Sequence, residues 1–235
     1  MAARGFFVTG TDTGVGKTLV ACALLRAFAA RGSTAVGMKP VASGAEPGAR
    51  GLVNEDVERL AAAGNVSAPR EEVNPYCFAA PIAPHLAAQQ AGVTIELDRI
   101  ERAYRALAAR AQVIVVEGVG GFRVPLGAGS DTAQLAARLA LPVVLVVGMR
   151  LGCLNHALLT ADAVAGCGLK LAGWVANHVE PQMAAATENV HALETLIAAP
   201  LIARIAYATV PDVGAIASEL DVAALCALLP AQQEN

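Results

Sequence analysis

The residues Gly10-Thr11-Asp12-Thr13-Gly14-Val15-Gly16-Lys17-Thr18 carry the most readable chemistry in this chain. Glycines at this density let backbone N–H groups turn inward as an anion nest, and a helix opening at the end of the loop adds partial positive charge. A lysine followed by a threonine completes a phosphate loop: the ammonium reaches β- and γ-phosphates, and the hydroxyl holds Mg²⁺. The strict spacing G-x-x-x-x-G-K-[ST] is missed by one position, because Thr11 stands where the first glycine belongs. A glycine-rich turn with no ligand is the rival reading, and the Lys-Thr pair at a helix start argues against it.

Other candidates lie at the ends of apolar runs. The chain has only three lysines, Lys17, Lys39 and Lys170, and two of them follow the first two expected strands. Glu117 ends the run Val113–Val116, where phosphate-loop enzymes bring an acidic residue to Mg²⁺. Behind it, Gly118-Val119-Gly120-Gly121 allows a close backbone approach to a ligand. Asn177 can both donate and accept, as the edge of adenine requires. Leu151–Asn155 opens an expected helix whose free N–H groups suit a carboxylate, with Asn155 as a possible cap. The histidines His85, His156, His178 and His191 have no metal-ligand spacing.

Elements in alternation must position these residues. The patterns predict strands at Gly5–Thr9, Thr34–Lys39, Val113–Val116, Val143–Val147, Leu171–Ala176 and Leu201–Ile205. Helices are expected at Lys17–Arg31, Asp56–Ala63, Ile95–Arg110, Thr132–Leu139, Asn155–Gly166, Ala184–Ile197 and Ser218–Leu229, with Gly32 stopping the first. Val41–Asn54 and Gly118–Gly129 read as loops, and the proline-rich Val73–Pro84 as irregular. Continuous apolar strands separated by helices imply a parallel sheet covered on both faces. Ligands of such sheets sit at the carboxyl ends of the strands, which is where the candidates fall. The expected fold is a single α/β domain over residues 1–235, with no repeat and no linker.

Composition narrows the classes. Of 235 residues, 55% are hydrophobic and 16% charged, which excludes a disordered chain. A net charge of −3 provides no footprint for nucleic acid. Mean hydropathy is high at +0.51, but the longest apolar run, Leu139–Met149, is too short to span a membrane, which takes roughly 20 residues. The start Met1-Ala2-Ala3-Arg4 leads into a strand-like run without a signal-peptide pattern. Five scattered cysteines without a C-x-x-C fit reduced thiols in a cytoplasmic protein.

The phosphate loop together with Lys39-Pro40-Val41-Ala42-Ser43-Gly44 resembles the dethiobiotin synthetase family, the ATP-dependent ligases of the biotin pathway. Asn74-Pro75-Tyr76, Pro84-His85, Val116–Gly121, Leu151–Ala157 and Gly173–Asn177 continue the resemblance in the family's order. It implies a P-loop NTPase-like fold, Mg²⁺ as cofactor, and closure of a cyclic urea from ATP, CO₂ and 7,8-diaminononanoate. It implies catalytic roles for Lys17, Lys39 and Thr13, with Lys39 facing a carbamate and Ser43 binding the substrate nearby. Thr18, Asp56 and Glu117 are the implied Mg²⁺ ligands, Glu55 being a local rival of Asp56. Nucleotide contacts are implied for Gly14, Val15, Gly16, Leu19, Gly118, Val119, Gly120, Asn177, His178, Ala206, Tyr207, Ala208 and Asp212. Ala206 departs from the family, which has proline there. Leu151, Gly152 and Asn155 are implied to hold the substrate's carboxylate tail in the neighbouring subunit of a homodimer.

Two other classes share the deviant loop. A switch ATPase would carry a further lysine early in it, and residues 10–16 contain none. An amidotransferase synthetase half would need a downstream glutaminase domain, for which the expected single domain leaves no room.

Overall fold

The computed structural model describes residues 5–49 and 51–229. Met1–Arg4, read above for a signal pattern, and Arg50 of the expected loop lie outside them. In chain order the elements are β1 (Gly5–Gly10), α1 (Lys17–Ala30), β2 (Ala35–Met38), β3 (Val41–Ser43), β4 (Glu46–Gly48) and β5 (Gly51–Val53). Then come α2 (Glu55–Ala63), α3 (Arg70–Val73), β6 (Tyr76–Phe78), α4 (Pro84–Gln90), α5 (Leu97–Ala108) and β7 (Val113–Glu117). β8 (Pro125–Gly127), β9 (Ser130–Asp131), α6 (Thr132–Leu139), β10 (Val143–Met149) and α7 (Cys153–Gly166) follow. β11 (Leu171–His178), α8 (Ala186–Leu196), β12 (Leu201–Ile205), α9 (Val213–Glu219) and α10 (Ala223–Cys226) complete the chain.

The central sheet has six strands in the order β12-β11-β10-β1-β7-β2. Every pairing in it is parallel. Side chains alternate across a strand, and here both faces are apolar. Phe6, Val8, Val113, Val115, Val144 and Val146 pack with α1 and with Ile216 of α9. Their neighbours Phe7, Ile114 and Val116 face Ile100, Tyr104 and Leu107 of α5 and Leu135 of α6. On the same side Leu145 and Val147 meet Ala157 of α7 and Leu193 of α8. Continuous apolar runs are therefore the pattern this two-sided burial requires.

Four expectations are corrected. Val41–Asn54 is not all loop: β3 pairs in parallel with β6, and β4 with β5 in a hairpin. The pairing β3–β6 also gives order to part of the proline-rich stretch, and β8 does so within Gly118–Gly129. The last helix is not Ser218–Leu229. Asp212 caps an earlier helix through Oδ1, which accepts from Gly214 N and Ala215 N. That helix ends where Leu220 and Val222 turn into the core, and α10 is a separate short piece.

Candidate functional site

The loop after β1 is locked before any ligand is considered. Thr11 N donates to Val146 O at 3.0 Å, and Gly148 N donates to Thr11 Oγ1 at 3.3 Å. Val15, 1% exposed, wedges between two glycines. A Cβ on Gly10 would lie 2.5 Å from its Cγ2, and one on Gly148 would lie 2.7 Å from its Cγ1. Gly16 caps α1 at φ 92°, a left-handed conformation that favours glycine. A Cβ there would also strike Asn177 Nδ2 at 2.3 Å. That amide donates to Val15 O at 2.8 Å, so Asn177 braces the loop from β11.

Lys17 folds back over this loop and donates to Asp12 O at 2.8 Å. Burial, followed by the charge of Lys39, brings its ammonium down to about 8. Thr18, in the first turn of α1, has its Oγ1 2.9 Å from Asp56 Oδ1 and 2.9 Å from Glu117 Oε1. Lys39 Nζ pairs with Asp56 Oδ2 at 3.0 Å and, in a close contact, with Glu117 Oε1. Burial alone would lower the pKa of Lys39, but Glu117 and Asp56 outweigh it and hold it above the ordinary value. Glu117 is 1% exposed, and burial raises its pKa despite Lys39. Asp56 is held below the usual carboxylate range: burial opposes this, but Lys39 and the Thr18 hydroxyl prevail.

Backbone anchors place these groups. Asn54 caps α2, accepting from Val57 N, and donates to Ser43 O at 3.3 Å. This sets Asp56 in the first helical turn, while Glu55 points to solvent and pairs with Arg59. Asn74 Nδ2 donates to Lys39 O at 2.6 Å, and Lys39 N donates to Val73 O. The Asn-Pro-Tyr segment therefore acts on the site through the backbone of Lys39.

A cavity of about 900 Å³ opens over this cluster. Thr13, Gly14, Gly16, Lys17, Thr18, Leu19, Lys39, Ser43, Asp56, Glu117, Val119 and Gly120 line it. Ser43 Oγ is buried there with no hydrogen-bond partner. A second concavity of about 570 Å³, between α1 and α9, is lined mainly by alanines and two arginines. It holds no carboxylate, lysine or histidine, so the chemistry belongs to the first.

Several expected residues stand apart from that lining. Leu151, Gly152 and Asn155 are outside it, and Leu151 is 95% exposed. Asn155 is not the cap of α7, which is Gly152. Ala206, Tyr207 and Ala208 form an exposed segment after β12, and half-buried His178 closes β11. Asp212 spends its carboxylate on capping α9, while the adjacent Pro211 reaches the cleft. Sequence reasoning missed Asp12 and Arg150, which pair at 2.5 Å. The available signal was an arginine closing the apolar run of β10.

The donor set fits a divalent cation. Thr18, Asp56 and Glu117 offer hard oxygens on one small volume, and Glu117 Oε2 is buried with no partner among the described residues. Phosphate oxygens and water would have to complete the shell, since no cluster of three or more His, Cys, Asp or Glu suited to a metal occurs among the described residues.

A parallel sheet, a lysine-bearing loop at the carboxyl end of its central strand and a buried acid on the next strand define a phosphate-loop NTPase-like α/β protein. Solved structures of that fold are similar: a ParA family ATPase from Chlorobium tepidum (TM-score 0.53, 15% identity, 88% of this chain and 85% of that one) and the septum site-determining protein MinD from Pyrococcus horikoshii (0.54, 15%, 86% and 81%). The AAA domain family matches residues 4–213. An ATP-dependent dethiobiotin synthetase BioD from Nitrosospira multiformis is 54% identical over 94% of this chain and 96% of its own length. Its namesake from Aromatoleum aromaticum is 52% identical over 92% and 96%. The chain belongs to the ATP-dependent dethiobiotin synthetase family, and so is an enzyme, an ATP-driven ligase of biotin biosynthesis.

Proposed function

We propose that this enzyme closes the ureido ring of dethiobiotin from 7,8-diaminononanoate and CO₂, through a carbamic–phosphoric anhydride. The observation that carries this reading is the pair of buried ammoniums, Lys17 and Lys39, lining one cavity together with a Thr18–Asp56–Glu117 cluster. A phosphate loop alone needs one lysine. A second one in the same cavity suits a reaction in which two anions must meet.

The amine at carbon 7 takes up CO₂ and loses a proton, giving a carbamate. A carbamate oxygen attacks the γ-phosphorus, and ADP leaves. The second amine then attacks the carbamoyl carbon; the C–N bond closes the ring, and phosphate leaves with the C–O bond. Lys17 and the amides of Gly14, Val15, Gly16, Thr18 and Leu19 hold the nucleotide, with Thr13 beside the transferred group. Lys39 meets the carbamate and the transferred phosphoryl group, and Ser43 orients the carbamate end. Thr18, Asp56 and Glu117 would hold Mg²⁺, which when bound neutralises charge on the β- and γ-phosphates. Val119 and Gly120 line the phosphates and amines, with Gly118 packed behind them against β1. Asn177, His178, the segment Ala206–Ala208 and Asp212 border the base.

Residues 1–235 act as one domain, a cytoplasmic homodimer on this reading. No helix among the described residues is long and apolar enough to cross a membrane. Leu151, Gly152 and Asn155 serve the neighbouring cleft, which is supported by their exposure and their place outside this chain's own cavity.

The test is phosphate release with ATP, Mg²⁺, bicarbonate and the diamine, each omitted in turn. Every omission is expected to stop turnover. ATP hydrolysis at full rate without the diamine would overturn the ligase mechanism in favour of a switch ATPase.

A further inference from the structure

One charge in the phosphate loop opposes its ligand. Asp12 lines the cleft next to Thr13 and Gly14, and a free carboxylate at that point repels a polyphosphate. Its side chain is held on both oxygens. Oδ1 accepts from Thr13 N at 2.7 Å, and Oδ2 pairs with Arg150 Nη2 at 2.5 Å. Its backbone oxygen is the acceptor for Lys17 Nζ. The orientation of Asp12 therefore sets an amide of the anion nest and the ammonium of the loop together.

Arg150 arrives from far along the chain, directly after β10, and does not line the cavity. His156 on α7 is a further, weaker influence on the Asp12 carboxylate. Both members of the pair are partly exposed, so the pair adds little to folding stability. Its effect falls on a multiply charged ligand, because every phosphate charge feels an unscreened Asp12.

We infer that Arg150 is a positioning residue of the nucleotide site: it neutralises Asp12 and fixes the loop in the form that accepts a triphosphate. The inference rests on the reading of Gly10–Thr18 as the ATP loop, but not on the ring-closing chemistry.

The experiment measures ATP affinity by calorimetry on the full chain without diamine, for wild type, Arg150→Met, Asp12→Asn and the double variant. Arg150→Met is expected to bind ATP about tenfold more weakly, the order of one uncompensated charge near a protein surface. The loss should grow at low ionic strength. Asp12→Asn keeps an acceptor for Thr13 N and leaves the Arg150 charge unanswered, so it should bind ATP no more weakly than wild type, and the double variant, with both charges gone, should return close to wild type. Arg150→Lys should retain most of the affinity. Unchanged affinity in Arg150→Met, a double variant as weak as Arg150→Met, or a weak Asp12→Asn would each overturn the inference. If Arg150→Met does not fold, Arg150→Gln carries the same comparison. Wild type that fails to bind ATP would instead refute the nucleotide reading, and loss of diamine dependence would refute only the ring chemistry.

Discussion

The phosphate end of the cleft and the Leu151–Asn155 turn are built on opposite plans. At the phosphate end, both ammoniums are buried and answered within the chain: Lys39 by Asp56 and Glu117, Lys17 by the Asp12 carbonyl. At the turn, a leucine stands almost wholly in solvent, and α7 starts without a side-chain cap on its first N–H groups. Burying ions is costly unless partners are exact in geometry, and a site that does so must be complete before its ligand comes. The difference is the one the proposed homodimer calls for, with nucleotide binding kept within one chain and the grip on the second substrate shared.

The sharpest way to break this contrast lies in the two lysines. Lys39→Gln should leave ATP affinity nearly intact and lower diamine-dependent phosphate release on the order of 10²–10³, the cost of losing one preorganised electrostatic donor. Lys17→Gln should weaken ATP binding by roughly tenfold to a hundredfold, the range for a hydrogen bond to a charged group, and slow turnover as well. Calorimetry beside a phosphate-release assay separates the two. The assignment fails if Lys39→Gln keeps more than about a tenth of wild-type turnover.

The turn is tested by separating subunits. Leu151→Asp, placed on the exposed side chain, should yield monomers that bind ATP normally and show a KM for the diamine raised about tenfold, as for one lost charge-assisted contact. Sedimentation and steady-state kinetics check it. Monomers of full activity would erase the distinction between the regions.

The smallest effect concerns pH. With its ammonium lowered to about 8, Lys17 loses its proton in the folded protein well before it would in the unfolded chain. Above that pH the unfolded state binds more protons, so this residue's contribution to stability rises with pH. ATP binding, which needs the ammonium, moves the other way and should weaken several-fold between about pH 7.5 and 9. The same titration in Lys17→Gln should be flat over that range.

The central strands were legible because two-sided burial leaves a continuous apolar run. Thr132–Leu139 and Leu201–Ile205 match the structure end for end. The C-terminal helix was misread because alanine favours helix everywhere, whereas the break at Leu220–Val222 is decided by burial against α1 and the sheet. The strand β3 was missed because its partner β6 lies a long way off in sequence, and a three-residue pairing leaves no local period. In the site, Lys17, Thr18, Lys39 and Glu117 were readable from their places at strand ends and at the helix start. Asp56 was separated from Glu55 only by register and resemblance; the physical reason is the Asn54 cap, which turns one acid inward and the other out. Asp12 and Arg150 carry no shared pattern, since their meeting depends on β1 and β10 lying side by side.

Val15 has a consequence for the entropy of binding. An anchor seated between the glycines of two neighbouring strands makes the phosphate loop part of the core rather than a strap across its surface. Val15, the Thr11 backbone and Asn177 hold the loop before a nucleotide arrives, so less affinity is spent on freezing the backbone. The loop's protons should then exchange with solvent at the pace of the sheet, not of the surrounding turns. For an enzyme that must release its spent nucleotide in every cycle, this means that turnover need not wait on the refolding of its own binding loop.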